Sequence, residues 1–183
     1  MGETLRATLD DTLGPTLAEL DKAALRRRLR PLDSGIGPRV TVDGRSVIQL
    51  CSNDYLGLSS HPLVKEATTN AVSNYGSGAG SARLIVGTSL PHVQLEARLA
   101  TFKRTEAAVV LPSGYQANVG ILQALTGPGD VIFSDELNHA SIIDGCRLSR
   151  AAVEVYRHRD VNHLGTLLSV NAGARRRLII TET

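Results

Sequence analysis

Two short polar segments of this sequence carry residue types that could bind an anion and do chemistry beside it. The first is residues 111–118 (LPSGYQAN), in which Ser113 and Gly114 lie between an apolar run and a helical pattern. Free backbone N–H groups at a helix N-terminus bind phosphate, and the ring and hydroxyl of Tyr115 would lie beside them. A serine cap over a core aromatic residue would produce the same eight residues, so this segment alone does not decide between a phosphate site and a structural cap.

The second segment follows the apolar run VIFS and contains the string DELNHAS at residues 135–141. His139 is the residue of interest, because imidazole can donate, accept or transfer a proton near neutral pH. A lone histidine is more often a structural group, but His139 lies near the candidate phosphate segment if the two preceding strands are neighbours. The other histidines flank helix starts and a surface connection, and we predict structural roles for His61, His92, His158 and His163.

Composition and spacing exclude several other classes of protein. Histidines, cysteines and carboxylates nowhere have the spacing of a metal site, and no serine lies in a nucleophile elbow. The chain has 42% hydrophobic residues and a net charge of +2 with its basic residues spread out, which indicates a folded domain without a nucleic-acid surface. No apolar run suits a membrane span or a secretory signal, and Cys51 and Cys146 form no C-x-x-C motif. We therefore expect a cytoplasmic protein without nucleic-acid or membrane partners.

The elements that position the two polar segments are predicted to form an α/β domain. From residue 106 onward, apolar runs alternate with helical stretches, which is typical of parallel strands joined by right-handed crossovers. Buried strands are predicted at residues 107–111, 131–134, 153–156 and 178–181, and helices at residues 115–125, 139–150 and 160–169. Both polar segments then lie at the carboxyl edge of the sheet, where parallel sheets bind ligands. No helix follows the last strand to cover it, so we expect the sheet to continue beyond residue 183.

The first part of the chain is predicted to contain separate helices and a hairpin. Apolar spacing, prolines and the Asp43-Gly44 turn mark their ends. The predicted elements are a helix over residues 16–30 ended by Pro31, a hairpin of residues 40–42 and 47–50, a loop over residues 51–62, a helix from Pro62 to near Gly76, and a helix from about Ser89. The glycine-rich segment at residues 76–81 fits neither a dinucleotide-binding motif nor a P-loop.

Several motifs, in their order and spacing, resemble those of the α-oxoamine synthases, a family of pyridoxal 5′-phosphate enzymes with the aspartate aminotransferase fold. The motifs are SNDYLGL at residues 52–58, GSGAGS at residues 76–81 followed by Arg83, SGY at residues 113–115 with Ala117 and Asn118, and NHAS at residues 138–141. The resemblance implies a fold type I large domain, a mostly parallel sheet with flanking helices. Residues 1–50 would be an N-terminal helical segment and hairpin. Residues 51–183 would be the first part of the cofactor-binding large domain, with its remainder and a small C-terminal domain beyond.

The resemblance also implies roles for individual residues. The N–H groups around Gly114 and Tyr115 would bind the phosphate of pyridoxal 5′-phosphate. His139 would stack on the pyridine ring and contact the amino-acid substrate, and Asn53 would help to hold the substrate carboxylate. Arg26 matches a substrate-contacting arginine of the family members that act in biotin synthesis, whereas its sequence context alone indicates a solvated helix face.

The implied reaction is a decarboxylative condensation of an amino acid with an acyl-CoA or acyl-carrier-protein thioester, with the cofactor ring as electron sink. The candidate pairs are L-alanine with a pimeloyl thioester, glycine with acetyl-CoA, and glycine with succinyl-CoA. The arginine-rich N-terminal region and the stretch 146–161 favour the first pair, although residues 141–145 also resemble glycine C-acetyltransferases. Active sites of the family form between two subunits, so a homodimer is expected of the full-length enzyme.

One requirement of the family has no counterpart in this sequence. Catalysis needs a lysine that carries the cofactor covalently, and in the family this lysine follows the part of the sequence that ends at residue 183. Lys22, Lys65 and Lys103 are each predicted to be solvated surface charges. We therefore expect the chain alone to be inactive. A non-catalytic fragment or remnant is the alternative to an enzyme.

Overall fold

The computed structural model describes residues 2–182, with side chains described for residue 9 and for residues 11–182. The chain divides into two compact units, Met1–Ala79 and Gly80–Thr183. This division falls later than the domain boundary expected after residue 50. That boundary concerns the domains of a longer family member and stays a prediction. No helix in the described part of the chain is both long and apolar enough to cross a membrane.

The first helix, α1 (Gly2–Lys22), ends earlier than the sequence predicts. The chain leaves the helix at Ala24, whose φ of 54° is left-handed. A left-handed residue after the last turn is a common way to end a helix. Further along, Leu29 is fully exposed, so no packing favours additional turns. The prediction of a helix over residues 16–30 is therefore wrong beyond Lys22, and Arg26 lies outside the helix.

The hairpin predicted around Asp43 and Gly44 is confirmed. Strands β1 (Arg39–Val42) and β2 (Arg45–Ile48) pair antiparallel. Asp43 and Gly44 have φ values of 52° and 70°, the left-handed conformation that a type I′ turn needs at both positions. Because this turn contains only these two residues, β2 begins earlier than the predicted residues 47–50.

The loop after the hairpin leads into α2 (Pro62–Tyr75), as predicted. The ring of His61 accepts a hydrogen bond from the N–H of Leu63 at 3.3 Å and so caps the helix. Gly76, with φ of 82°, ends it in a conformation that favours glycine. The structural role predicted for His61 is confirmed.

The second unit contains a three-stranded parallel sheet with helices around it. Its strands are β3 (Val131–Asp135), β4 (Ala152–Tyr156) and β5 (Arg177–Ile180), and its helices are α3 (Leu90–Lys103), α4 (Gly114–Leu125), α5 (Ala140–Ser149) and α6 (Val161–Val170). The strand order is β4-β3-β5, and both pairs are parallel. The predicted alternation of strands and helices is therefore confirmed from β3 onward. The predicted helix start at Ser89 is confirmed too, since Ser89 and His92 form a capping box at the start of α3.

Strand β3 is the centre of the core and is buried along its whole length. On one face Ile132 packs with Leu122 of α4 and Ile142 of α5. On the other face Phe133 packs among side chains that include Leu164 of α6. Alternate residues of a strand point to opposite faces of the sheet. One strand therefore connects two helical layers.

The two outer strands are less buried than the sequence predicts. Val155 on β4 is 56% exposed and Ile179 on β5 is 47% exposed. Among the residues that the structure describes, each outer strand has a neighbouring strand on one side only. The prediction of buried strands is therefore right for β3 and wrong for β4 and β5.

Residues 107–111 are not a strand, contrary to the prediction. No strand in the described part of the chain pairs with them, and Val109 is 76% exposed. The backbone of Val110 is bound by side chains instead: its N–H donates to Glu96 Oε1 at 2.9 Å and its carbonyl accepts from Arg83 at 3.2 Å. Arg83 and Glu96 also pair with each other at 2.6 and 3.1 Å, which lowers the pKa of Glu96 to about 2. An apolar run becomes a strand only where a second strand supplies ladder partners.

Candidate functional site

The N-terminus of α4 is open and carries free backbone donors. Ser113 is extended, and its hydroxyl oxygen accepts from the N–H of Gln116 at 3.2 Å, so it caps the helix. The N–H groups of Gly114 and Tyr115 belong to the first turn, where a helix offers them no carbonyl acceptor. A Cβ added at Gly114 would meet no atom within 4 Å, so the backbone is accessible there. This geometry suits an anionic group such as phosphate.

Helices α4 and α5 approach each other closely and are joined by polar side chains. Tyr115 donates its hydroxyl proton to Asp144 Oδ2 at 3.1 Å, and this carboxylate raises the pKa of Tyr115. One turn further along, Asn118 Nδ2 donates to Ser141 Oγ at 2.9 Å. Gly145 permits the approach, because a Cβ there would lie 2.7 Å from Leu122 Cδ1 and 3.0 Å from the Asn118 carbonyl oxygen. Helix α4, with its open N-terminus, is thus fastened to the helix that follows His139.

His139 is the N-cap of α5 and is held through both its ring and its backbone. Its Nδ1 accepts from the N–H of Ser141 at 3.1 Å and lies 2.7 Å from the Ser141 hydroxyl oxygen. Its backbone N–H donates to Glu182 Oε2 at 2.6 Å. Because Glu182 follows β5, this bond connects His139 to the neighbouring strand end.

Asn138 connects the carboxyl ends of β3 and β5. The side chain is buried, and its Nδ2 donates to Ser134 Oγ at 2.9 Å and to the Ile180 carbonyl at 3.0 Å. Its Oδ1 is buried without a hydrogen-bond partner among the described residues. Asn138 thereby sets the position of the backbone that carries His139.

The structure joins three of the predicted site residues through helix contacts. Gly114 and Tyr115 begin α4, and the Asn118–Ser141 hydrogen bond links that helix to the cap formed by His139. The sequence suggested that two neighbouring strands would bring them together. Packed helices do so instead, because the segment before Ser113 is not a strand.

The other two predicted site residues lie in the first unit. Arg26 follows α1, and its guanidinium pairs with Asp21 at 2.6 Å. Asn53 is exposed in the loop after β2. Their roles toward a substrate stay predictions.

A polar pair that the sequence reasoning did not select lies at the same sheet edge. Asp135 is buried at the end of β3, and His158 Nδ1 lies 3.0 Å from its Oδ1. The N–H of Leu137 and the imidazole of His158 lower the pKa of Asp135. A cavity of about 560 Å³ adjoins the pair, with a lining that includes Tyr156, Leu164, Ile179 and Glu182. The sequence does contain a sign of this pair: a carboxylate ends the apolar run that becomes β3, and a histidine follows the run that becomes β4.

The donors at this edge fit a phosphorylated ring. Two free backbone N–H groups suit phosphate, and an imidazole and a phenol beside them suit a planar aromatic group. Within residues 2–182, no three or more His, Cys, Asp and Glu side chains are arranged to hold a metal ion. The backbone N–H groups, the imidazole and the phenol by their own chemistry suit an organic, anionic ligand.

The parallel sheet, its flanking helices and the open helix at its carboxyl edge define a fold type I large domain. Residues 45–183 match the aminotransferase class I and II family, and the chain belongs to this family. Serine palmitoyltransferase from S. paucimobilis, solved with a bound PLP–myriocin aldimine, is 30% identical with a TM-score of 0.80 and covers 88% of this chain. Serine palmitoyltransferase from Sphingomonas wittichii is 34% identical with a TM-score of 0.78, again over 88% of this chain. These matches cover 41% of each of the two neighbours.

Curated relatives are more similar in sequence than these structures. The 8-amino-7-oxononanoate synthase of Geobacter sulfurreducens is 54% identical over 166 residues, which are 91% of this chain and 42% of that protein. The 8-amino-7-oxononanoate synthase of Thermoanaerobacter pseudethanolicus is 50% identical over 94% of this chain and 44% of that protein. The chain thus spans less than half the length of the curated relatives that it matches.

Proposed function

We propose that this chain is the first part of an 8-amino-7-oxononanoate synthase, a pyridoxal 5′-phosphate-dependent acyltransferase of biotin synthesis. The observation that carries the proposal is the junction of α4 and α5, where hydrogen bonds join an open helix N-terminus to His139, the N-cap of α5. The 54% identity to a synthase of this name supports the particular reaction.

We propose a role for each of the five predicted site residues. The N–H groups of Gly114 and Tyr115 hold the phosphate, and the ring of His139 stacks on the pyridine ring. Asn53 holds the substrate carboxylate, and Arg26 contacts the substrate. When bound, the cofactor supplies an electron sink that stabilises negative charge on the amino-acid Cα.

The proposed reaction joins L-alanine to a pimeloyl thioester. A new carbon–carbon bond forms between the alanine Cα and the acyl carbonyl carbon, the thioester C–S bond breaks, and CO₂ and CoA (or the carrier protein) leave. Glycine with acetyl-CoA or succinyl-CoA is the alternative within the family. Identity of about half to named synthases, against 30–34% to serine palmitoyltransferases, supports alanine over serine.

We propose that the chain alone forms no covalent bond to the cofactor. Lys22 ends α1, Lys65 lies on α2 and Lys103 ends α3, and all three side chains are exposed. All three lysines lie on helices, and none follows a strand of the sheet that borders the candidate site. Covalent attachment therefore depends on a lysine outside this sequence.

We further propose a homodimer in the cytoplasm. A turn of three apolar residues is exposed in the second unit: Leu84 by 98%, Ile85 by 75% and Val86 by 81%. A contiguous apolar surface of this kind is typical of subunit interfaces. Cys51 and Cys146 are both free thiols, which is typical of a reducing compartment.

The test compares amino acids and thioesters with the longer protein. We expect CoA release from pimeloyl-CoA with L-alanine, and much less with glycine or serine. Release that requires glycine with acetyl-CoA or succinyl-CoA would assign the protein to another branch of the family. The chain alone, mixed with pyridoxal 5′-phosphate, is expected to form no stable imine and to show no turnover. An adduct on Lys22, Lys65 or Lys103 together with turnover would overturn the proposal.

A further inference from the structure

The proton of the neutral His139 ring is located by a backbone hydrogen bond. His139 Nδ1 lies 3.1 Å from the N–H of Ser141, in a geometry that makes it the acceptor. A backbone N–H can only donate, so Nδ1 carries no proton while this bond exists. The single proton of the neutral imidazole is then on Nε2.

A second bond to the same nitrogen reaches across to α4. The Ser141 hydroxyl oxygen is 2.7 Å from His139 Nδ1 and accepts from Asn118 Nδ2 at 2.9 Å, which leaves the hydroxyl proton free for Nδ1. Ser141 is 1% exposed, so solvent cannot take its place. Exchange of the Asn118 oxygen and nitrogen would leave the backbone bond to Nδ1 intact. The position of the ring proton therefore does not depend on the amide assignment.

The backbone of His139 is held on both sides of its Cα. Its N–H donates to Glu182, and its carbonyl accepts from the N–H of Ile142 at 2.9 Å. Backbone and Nδ1 are thus both occupied, and Nε2 is the ring atom left to bind a ligand. The ring is already oriented before a ligand arrives.

We infer that Ser141 and Asn118 are positioning residues that keep the proton of the neutral His139 ring on Nε2. The inference rests on the proposed function for the identity of the ligand. In this form Nε2 is a hydrogen-bond donor toward a bound ligand and cannot accept a proton from it. Ser141 and Asn118 act only through the imidazole and touch no substrate.

The first test is a long-range ¹H–¹⁵N NMR spectrum of the ¹⁵N-labelled chain without cofactor, above the pH at which the imidazole titrates. His139→Gln assigns the signals. We expect an unprotonated Nδ1 and a protonated Nε2 in a single tautomer. Ser141→Ala removes the shorter of the two contacts to Nδ1 (2.7 Å) and leaves the 3.1 Å backbone bond alone, so a fraction of the second tautomer should appear. Ser141→Thr, which keeps the hydroxyl, should restore the single tautomer. Ser149→Ala is the control, because Ser149 is buried in the same helix and its hydroxyl bonds Cys146 and Ala151, away from the imidazole.

The second test uses the longer protein with amino acid and thioester. Ser141→Ala should lower kcat/KM for the amino acid by about tenfold, the effect of one hydrogen bond, and Ser141→Thr should recover most of it. A proton on Nδ1, or a Ser141→Ala spectrum like that of the original chain, would overturn the inference and leave the proposed function untouched. The expected tautomer without any effect of Ser141→Ala on kcat/KM would overturn the positioning role. Absence of turnover with every amino acid would reject the proposed function alone.

Discussion

At the scale of single residues, two charged side chains bind backbone groups of a kind that strand hydrogen bonds bind within the sheet. Arg83 and Glu96 bind the N–H and the carbonyl of Val110, three residues before the Ser113 cap. The guanidinium reaches both Glu96 oxygens and the carbonyl at once. This fork geometry belongs to arginine and cannot be reproduced by the point charge of lysine. The pair therefore positions the segment that enters the candidate phosphate site.

Replacing Arg83 with lysine tests that positioning. Arg83→Lys should increase amide hydrogen exchange at residues 109–113, because the carbonyl and one carboxylate oxygen lose their donor. Arg98→Lys on the exposed surface of α3 is the matched control and should leave this segment unchanged. Equal protection of residues 109–113 in the two variants would show that the ion pair does not hold the segment.

The sequence predicted the roles of residues whose hydrogen-bond partners lie close along the chain, and missed a pair whose partners lie far apart. The caps formed by His61 and His92 were predictable, since each bonds within three residues of its own position. The pairing of Asp135 with His158 joins the ends of two strands and was not predicted. Only the parallel pairing of β3 and β4 makes those two residues neighbours.

At the scale of elements, the contact between α4 and α5 depends on one missing side chain. A Cβ at Gly145 would lie 2.7 Å from Leu122 Cδ1, 3.0 Å from the Asn118 carbonyl oxygen and 3.2 Å from Val119 Cα. The Asn118 oxygen and Val119 Cα belong to the backbone of α4, so they cannot move away unless the helix itself moves. This contact also carries the Asn118–Ser141 bond, so packing and the proposed site are linked.

Gly145→Ala should therefore destabilise the chain by about 1–3 kcal/mol, the usual cost of overpacking. Gly120→Ala, on α4 with no atom within 4 Å of the new Cβ, is the control. It should stabilise by about 0.5–1 kcal/mol, because alanine favours a helix more than glycine does. Urea unfolding of both variants measures the difference, and a neutral Gly145→Ala would mean that the helices can separate at no cost.

At the scale of the whole molecule, buried and half-buried carboxylates make the fold sensitive to acid. Asp130, whose side chain is fully buried, accepts from Arg175 at 2.8 Å through both oxygens, and this lowers its pKa to about 2. Glu96, paired with Arg83, has its pKa lowered to about 2 as well. The N–H of His163 lowers the pKa of Asp160. Each of these groups binds its proton less tightly in the folded chain than in the unfolded one.

The sign of the pH dependence follows from these shifts. Carboxylates with a lowered pKa contribute stability above their unfolded values of about 4, and this contribution is lost as the pH falls toward about 2. The free energy of unfolding should therefore decrease steadily over that interval, as measured by urea unfolding at several pH values. Asp130→Asn should flatten the decrease, whereas Glu106→Gln, at an exposed position, should not. A decrease that is unchanged in Asp130→Asn would show that the Asp130–Arg175 pair does not cause it.

The amino-acid sequence by itself determined the features that depend on nearby residues. The turn at Asp43 and Gly44, the start of α2 at Pro62, the cap at Ser113 and the run that becomes β3 all follow from local conformational preference and apolar spacing. Tertiary structure decided the rest: that residues 107–111 have no ladder partner within residues 2–182, that β4 and β5 border the described sheet, and that α4 and α5 join the candidate site. These depend on contacts between distant parts of the chain, whose burial and hydrogen bonds outweigh local preference.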